Sequence, residues 1–286
     1  MPTFSSHGVD IHYQVAGEGY PLVWSHEFAG SHESWEPQVR YFSRRYQVIT
    51  YAARGYPPSD VPADPAAYSQ DLAVEDLYLL LKHLSISQAY IGGLSMGGTT
   101  ALSFGIAHPE MSKALIVASA GSGSSGGEAF QRSGQALIAR LRGEGMGPVA
   151  DDYARGETRV QFLRKDPRGW EEFYRGLSAH SALGSALTFG GVQLKRPSVY
   201  ALGDRLRDLS MPVLVMIGDE DEPCVEPAIF LKKTISNAGL TVFPQSGHTI
   251  NLEEPDLFNR AVSDFFAAVE AGRWGGLTRI RLRPSL

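Results

Sequence analysis

The sequence has little cysteine and no surplus of positive charge. Cys224 is the single cysteine among 286 residues, so no disulfide can form within the chain, and this scarcity is typical of a reducing compartment. Acidic residues number 31 against 26 basic ones, giving a formal net charge of −5. A chain of that sign is not expected to have nucleic acid or an anionic membrane as its main partner.

Long apolar stretches are also missing. No run approaches the roughly 18 apolar residues that a membrane-spanning helix needs, and residues 1–17 lack the basic segment and apolar run of a secretory signal. Hydrophobic residues nevertheless make up 43% of the chain, enough for a sizeable core. We therefore expect a cytoplasmic globular protein with one large domain, alone or with an insertion.

Strand and helix patterns alternate along the first 120 or so residues and again from residue 213. Residues 22–24, 48–51 and 114–118 are short β-rich runs of the kind found in strands covered on both faces, and helical patterns separate them. Residues 9–15 alternate in character and predict an edge strand. The sequence thus predicts an α/β fold, a mostly parallel sheet flanked by helices.

A helical segment without a convincing strand interrupts this alternation after about the sixth strand. We predict a core formed by residues 1–121 and 207–286, with residues 122–206 inserted as a helical lid (cap) domain. The insert opens on a Gly-Ser-Gly-Ser-Ser-Gly stretch that matches a dinucleotide-binding pattern. The second strand and the ribose-binding acid of such a fold do not follow it, so a hinge is favoured.

Residues 93–97 read Gly-Leu-Ser-Met-Gly and lie between a predicted strand and a predicted helix. A chain that turns from strand to helix within two residues passes through a strained conformation, which small flanking residues permit. The turn places the Ser95 hydroxyl at a helix N-terminus, where backbone N–H groups and the helix dipole favour negative charge. This context favours a nucleophilic serine over an ordinary glycine-rich turn.

A serine hydroxyl needs a base that removes its proton, and the base needs a carboxylate that orients it. His248 lies in the loop after the last predicted strand, at the edge of the sheet where catalytic groups collect in open α/β folds. The loop after the preceding strand offers four carboxylates at residues 219–222. The residues alone leave the choice among these four open.

These features together resemble the α/β-hydrolase family, specifically its branch of lid-bearing esterases, haloperoxidase-type enzymes and C–C hydrolases. The resemblance extends over nearly the whole chain, with matching motifs at residues 54–55, 93–98 and 247–248. In the family the acid is the fourth residue of a Gly-x-x-Asp loop, which makes Asp221 the expected acid here and Asp219 the reserve. The resemblance therefore implies a catalytic triad of Ser95, Asp221 and His248.

The resemblance also implies an oxyanion hole formed by the backbone N–H groups of Met96, directly after the nucleophile, and of Phe28. Glu27 departs from the family, which usually has glycine at that position. A carboxylate beside the hole would oppose the developing negative charge unless it points away, is protonated or meets a cation. Our hypothesis is that Glu27 faces away from the hole or contacts the substrate.

The expected activity is that of a serine hydrolase, without cofactor, that cleaves a small carboxylic ester, lactone or related acyl compound through an acyl-enzyme intermediate. Two alternatives stay open: a C–C bond hydrolase of aromatic-degradation products, and a non-catalytic small-ligand receptor on the same fold. Leu94 and Thr249 argue against the first, because C–C hydrolases usually have Asn and often have Trp at those positions. An epoxide hydrolase or dehalogenase would need Asp in place of Ser95.

Three further expectations concern ligands and assembly. Trp170 and Phe189 of the insert are candidates for binding the substrate, together with Glu27. The His-Glu pairs at 26–27 and 32–33 begin like a zinc-protease motif but lack its second histidine, so no metal site is predicted. The expected partner is a small acyl substrate, not nucleic acid or a membrane. The expected assembly is a monomer or homodimer. The Arg-rich tail after Gly272 is expected to be a solvated end.

Overall fold

A computed structural model describes residues 2–275. Most of the predicted Arg-rich tail lies outside these residues. Eight strands form in the described part of the chain: β1 (Thr3–Ser6), β2 (Val9–Ala16), β3 (Tyr20–Ser25), β4 (Tyr46–Tyr51), β5 (Ala89–Leu94), β6 (Ser112–Ala118), β7 (Val213–Gly218) and β8 (Ala238–Phe243).

The strands form one sheet in the order β1-β2-β4-β3-β5-β6-β7-β8. Neighbouring strands from β4 through to β8 run parallel, whereas β2 runs antiparallel to both β1 and β4. The predicted α/β fold with a mostly parallel sheet is therefore confirmed. In a parallel sheet the carboxyl ends of the strands share one edge, and the loops that leave that edge can meet.

The start of the sheet differs from the sequence prediction. Residues 9–15 do form a strand within β2, but β2 has a neighbour on each side, so its predicted edge position is wrong. The edge strand on this side of the sheet is β1, in which exposed and buried residues alternate. Its four residues are too few for the alternation to stand out from a loop in the sequence.

The helices of the described residues are α1 (Glu36–Phe42), α2 (Gln70–His83), α3 (Met96–Ala107), α4 (Gly127–Gly143), α5 (Met146–Ala154), α6 (Val160–Lys165), α7 (Pro167–Ser178), α8 (Ala182–Thr188), α9 (Gly203–Arg207), α10 (Glu222–Thr234), α11 (Ile250–Glu253) and α12 (Pro255–Glu270). The sequence places the start of α10 at Pro227, five residues too late. The helix begins earlier because Pro223 occupies its first turn, where a missing N–H costs nothing.

Alternate residues of the central strands pack against helices on the two faces of the sheet. On one face, Val23, Ile49 and Ile91 belong to a cluster of apolar side chains that also includes residues of α2, α3 and α10. This cluster is almost fully buried. Trp24, on the opposite face, packs with Trp35 and with the phenylalanines of α1 and α12. Burial of both faces explains the nearly continuous apolar runs of the central strands.

The segment between β6 and β7 holds α4 to α9 and contributes no strand in the described structure. The apolar side chains of α4 to α8 form a buried cluster, which continues onto Phe28, Tyr56 and Met96 at the sheet's carboxyl edge, whereas Leu206 of α9 joins the core on one face of the sheet. The inserted helices therefore pack over the loops in which the sequence predicts the active site. No helix within residues 2–275 has the length and apolar character needed to cross a membrane.

Candidate active site

The turn between β5 and α3 carries Ser95 in a conformation that non-glycine residues rarely adopt, with φ 56° and ψ −109°. The two flanking glycines make this turn possible. A β-carbon on Gly93 would overlap the carbonyl group of Gly97, and one on Gly97 would overlap the carbonyl oxygen of Ser25. Ser95 thus lies on a strained strand-to-helix turn held tightly against the end of β3.

Asp221 and His248 meet in the loops that follow β7 and β8. Asp221 Oδ2 is 2.7 Å from His248 Nδ1, and Asp221 is fully buried. The reserve candidate, Asp219, is exposed and accepts a hydrogen bond from the Ser246 N–H. A carboxylate at Nδ1 holds the imidazole in the tautomer whose Nε2 is free to accept a proton.

The loop after β3 is the place where the nucleophile turn and the imidazole converge. Gly97 packs against the carbonyl of Ser25, the last residue of β3, and Glu27 Oε2 in the loop lies 3.9 Å from His248 Nε2. The hydrogen bonds of residues 2–275 do not include one between Ser95 Oγ and His248 Nε2. In hydrolases without substrate this contact is often long and tightens only when the substrate binds.

The same loop supplies one of the two predicted oxyanion donors. Met96 is the first residue of α3, so its N–H has no partner within the helix, and the Phe28 N–H donates to no acceptor in the described part of the chain. Tyr56, which is buried, donates its hydroxyl proton to the Phe28 carbonyl over 2.9 Å. Tyr56 thereby fixes the peptide next to the predicted donor, a role that the sequence does not reveal.

Glu27 forms an ion pair with Arg159, which lies directly before α6 in the insert. Glu27 Oε2 is 2.6 Å from Arg159 Nη2, and both side chains are almost completely buried. The guanidinium thus offsets the carboxylate beside the predicted oxyanion donors. A cationic partner is one of the arrangements that the sequence left open for Glu27.

A family model for the alpha/beta hydrolase fold matches residues 20–255, most of the chain. The chain belongs to the α/β-hydrolase family. The matched residues include the Ser95 turn and the loops of Asp221 and His248.

Several members of this family are similar to the chain over most of its length. It is 30% identical to 3-oxoadipate enol-lactonase 2 of Acinetobacter baylyi, with 91% of this chain and 94% of that protein covered. It is 29% identical to 2-hydroxy-6-oxo-6-phenylhexa-2,4-dienoate hydrolase of Comamonas testosteroni, covering 89% and 90%. Among solved structures, a thermophilic esterase from Thermogutta terrifontis superposes with a TM-score of 0.83 at 25% identity, covering 93% of this chain and 97% of that chain.

In this α/β-hydrolase, Glu253 accepts two hydrogen bonds that fix the loop of His248, the candidate base. Its Oε2 accepts from the Gly247 N–H at 3.0 Å and its Oε1 accepts from the Thr249 hydroxyl at 3.3 Å. Burial raises the pKa of this carboxyl. The insert holds the loop as well, because the His248 N–H donates to the Thr158 carbonyl over 2.9 Å.

The two aromatic candidates for substrate binding lie in different surroundings. Phe189 packs edge-to-face against Phe28, with ring centroids 5.1 Å apart, and so borders the predicted oxyanion loop. Trp170 stacks on Tyr174 and donates its indole N–H to the Ala154 carbonyl. Its contacts are thus with other residues of the insert.

Cys224 is a neighbour of the triad candidates that sequence reasoning did not connect with the site. Its thiol and the ligand atoms of Asp221 and His248 lie within 4.8 Å of one another, and all three residues are buried. Burial and the Asp221 carboxylate raise the pKa of the thiol well above its usual range. The thiol thus packs against the candidate acid.

We expect His26 to make the stability of the fold depend on pH. Its Nε2 accepts from the Ala53 N–H at 3.0 Å and its Nδ1 donates to the Glu27 carbonyl, so the folded state needs the neutral ring. Burial lowers the pKa of His26 from 6.5 to about 3. Between these values the unfolded chain binds a proton that the folded chain does not, so stability falls as the pH falls, by about 1.4 kcal/mol per pH unit from this group.

Urea unfolding at pH 7.5 and pH 5.0 measures this dependence. In His26→Asn the free energy of unfolding should change less with pH, because the contribution of this histidine is removed. His7→Asn, at an exposed histidine, should show the same pH dependence as the native chain. Equal slopes for the native chain and His26→Asn would contradict the expectation.

Proposed function

We propose that this α/β-hydrolase cleaves carboxylic esters or lactones through an acyl-enzyme intermediate on Ser95. The observation that carries the proposal is the buried Asp221–His248 pair, 2.7 Å apart, at the sheet edge that also bears the strained Ser95 turn. Asp221 orients the imidazole, and His248 Nε2 removes the Ser95 proton as the oxygen attacks the substrate carbonyl.

The chemistry runs in two steps. The tetrahedral intermediate places its negative oxygen towards the N–H groups of Phe28 and Met96, where each donor is expected to contribute about 3 kcal/mol or more. The imidazolium then gives its proton to the leaving alkoxide. A water molecule, deprotonated by His248, then attacks the acyl-enzyme in the same way and releases the acid. A lactone thus yields one hydroxy acid, and an ester yields an acid and an alcohol.

Similar proteins favour ester and lactone bonds as the target. The Acinetobacter relative is named an enol-lactonase and the Thermogutta structure is an esterase, while an N-acyl homoserine lactone degrading enzyme superposes with a TM-score of 0.77 at 27% identity. The Comamonas hydrolase acts on a dienoate, which keeps C–C cleavage as a second candidate. Leu94 and Thr249 still argue against that candidate.

We also propose that residues 122–206 act as a lid. Ser95 and His248 are only 4% and 7% exposed, and the cluster formed by the inserted helices extends onto Phe28 and Met96. Entry of a substrate therefore requires the insert to move. The cytoplasm as the compartment, a small acyl compound as the partner and a monomer or homodimer as the assembly stay predictions.

Labelling with a fluorophosphonate tests the proposal directly. The reagent should modify Ser95 and no other serine, as located by peptide mass spectrometry, and should abolish hydrolysis of 4-nitrophenyl hexanoate with the same time course. Labelling of Ser95 in a protein that turns over no ester or lactone would instead favour the receptor alternative. Absence of labelling in the folded protein would contradict a nucleophilic Ser95.

A further inference from the structure

Arg159 is a buried cation with unused hydrogen-bond donors at the candidate active site. Its Nη2 donates to Glu27, but its Nε and Nη1 are buried without any partner in the described structure. A buried donor without an acceptor is costly, and the cost is greater on a charged group. The guanidinium therefore has two N–H donors that can bind an oxygen atom of a ligand.

Glu27 links the Arg159 guanidinium to the candidate base. The Glu27 oxygen that binds Arg159 at 2.6 Å is the same atom that lies 3.9 Å from His248 Nε2. The guanidinium also lies over the rings of Tyr153 and Phe173, at 5.1 and 5.5 Å from their centroids. Aromatic faces on the guanidinium restrict the directions from which a ligand can approach its N–H edge.

Charge selects the kind of oxygen that fits. Although burial alone would lower the pKa of Arg159, the carboxylates of Glu27, Asp221 and Glu253 together raise it. Glu27 already pairs with the positive charge at 2.6 Å, so a further carboxylate at the guanidinium would lie close to a like charge. An uncharged acceptor satisfies the free N–H groups without adding negative charge.

We propose that Arg159 is a specificity-determining residue that binds an uncharged oxygen of the substrate, such as a keto, hydroxyl or ether oxygen of the acyl part. The inference rests on the proposed ester or lactone hydrolysis and names the substrate class for that site. Substrates with such an oxygen are preferred over plain alkyl acyl groups and over acyl groups that carry a second carboxylate.

Three 4-nitrophenyl esters of similar length test the preference: the hexanoate, the 5-oxohexanoate and the monoester of adipic acid. The 5-oxohexanoate should exceed the hexanoate by roughly tenfold in kcat/KM, in line with one hydrogen bond to a charged donor, and the adipate monoester should be the slowest. Equal rates for the keto and alkyl esters, or a fastest adipate monoester, would overturn the proposal.

Arg159→Lys separates hydrogen-bonding capacity from charge, because lysine keeps a cation for Glu27 but lacks the planar fork. The ratio of kcat/KM for the keto ester to kcat/KM for the alkyl ester should fall to about one or two in this variant. The ratio should stay near ten in Arg164→Lys, because Arg164 is an exposed arginine of the same segment. If Arg159→Lys does not fold, the charge-balanced variant Glu27→Gln/Arg159→Gln provides the same comparison. A folded variant that retains the full ratio would overturn the role of Arg159.

The alkyl ester distinguishes this inference from the function on which it rests. Hydrolysis of the hexanoate without any preference for the keto ester defeats the inference alone. A native protein that hydrolyses none of the three esters and is not labelled at Ser95 defeats the proposed function.

Discussion

Ser95→Ala should lower kcat for 4-nitrophenyl hexanoate by at least about 10⁴-fold, because the acyl-enzyme cannot form without the hydroxyl. Alanine keeps the β-carbon at φ 56°, so the turn bears the same strain and the midpoint of urea unfolding should change little. Steady-state kinetics together with unfolding curves on one preparation measure both quantities.

Ser119→Ala is the matched control for this variant. Ser119 is also buried and has positive φ, and its hydroxyl lacks a hydrogen-bond partner in the described structure. Its replacement should leave kcat within about threefold of the native value, as expected for a serine outside the proposed mechanism. A Ser95→Ala protein that retains a tenth of the native kcat would exclude the covalent mechanism.

Arg159→Met should destabilise the fold by about 3–5 kcal/mol, the range found when one partner is removed from a buried ion pair. The loss arises mainly because the Glu27 carboxylate, only 3% exposed, is left without its cation. Urea unfolding at pH 7.5 gives the change in the free energy of unfolding. Arg175→Met, at a solvent-exposed pair of the insert, should have no measurable effect.

The double variant Glu27→Leu/Arg159→Met tests the origin of that loss. Replacement of both members by apolar side chains removes the uncompensated charge, so most of the lost stability should return. A double variant as unstable as Arg159→Met would mean that packing of the arginine stem, and not the ion pair, accounts for the loss.

The features that the sequence reveals here are those with a local backbone cause. Gly93 and Gly97 are recognisable because the strained turn at Ser95 demands residues without side chains on both flanks. The parallel sheet follows from apolar runs that alternate with helical patterns. His248 is predicted from its loop, whereas the choice of Asp221 over Asp219 rests on the resemblance. In the structure Asp221 is buried and Asp219 is exposed, a difference that the loop sequence does not reveal.

The features that the sequence does not reveal depend on contacts between distant segments. Glu27 and Arg159 are 132 positions apart, and the region around Arg159 has no periodicity that marks one arginine among several. Tyr56 reaches the Phe28 carbonyl from another loop, and a tyrosine in a turn has no pattern that predicts such a bond. These contacts depend on how distant segments pack against each other, and residue spacing in the sequence does not predict that packing.

The burial of Cys224 has a practical consequence for following the protein in solution. As the chain has one sulfhydryl and it is fully enclosed, alkylation by a maleimide must wait for the surrounding core to open. The rate of that reaction is then a measure of how often the interior next to the proposed acid opens, obtained without introducing any probe by mutation.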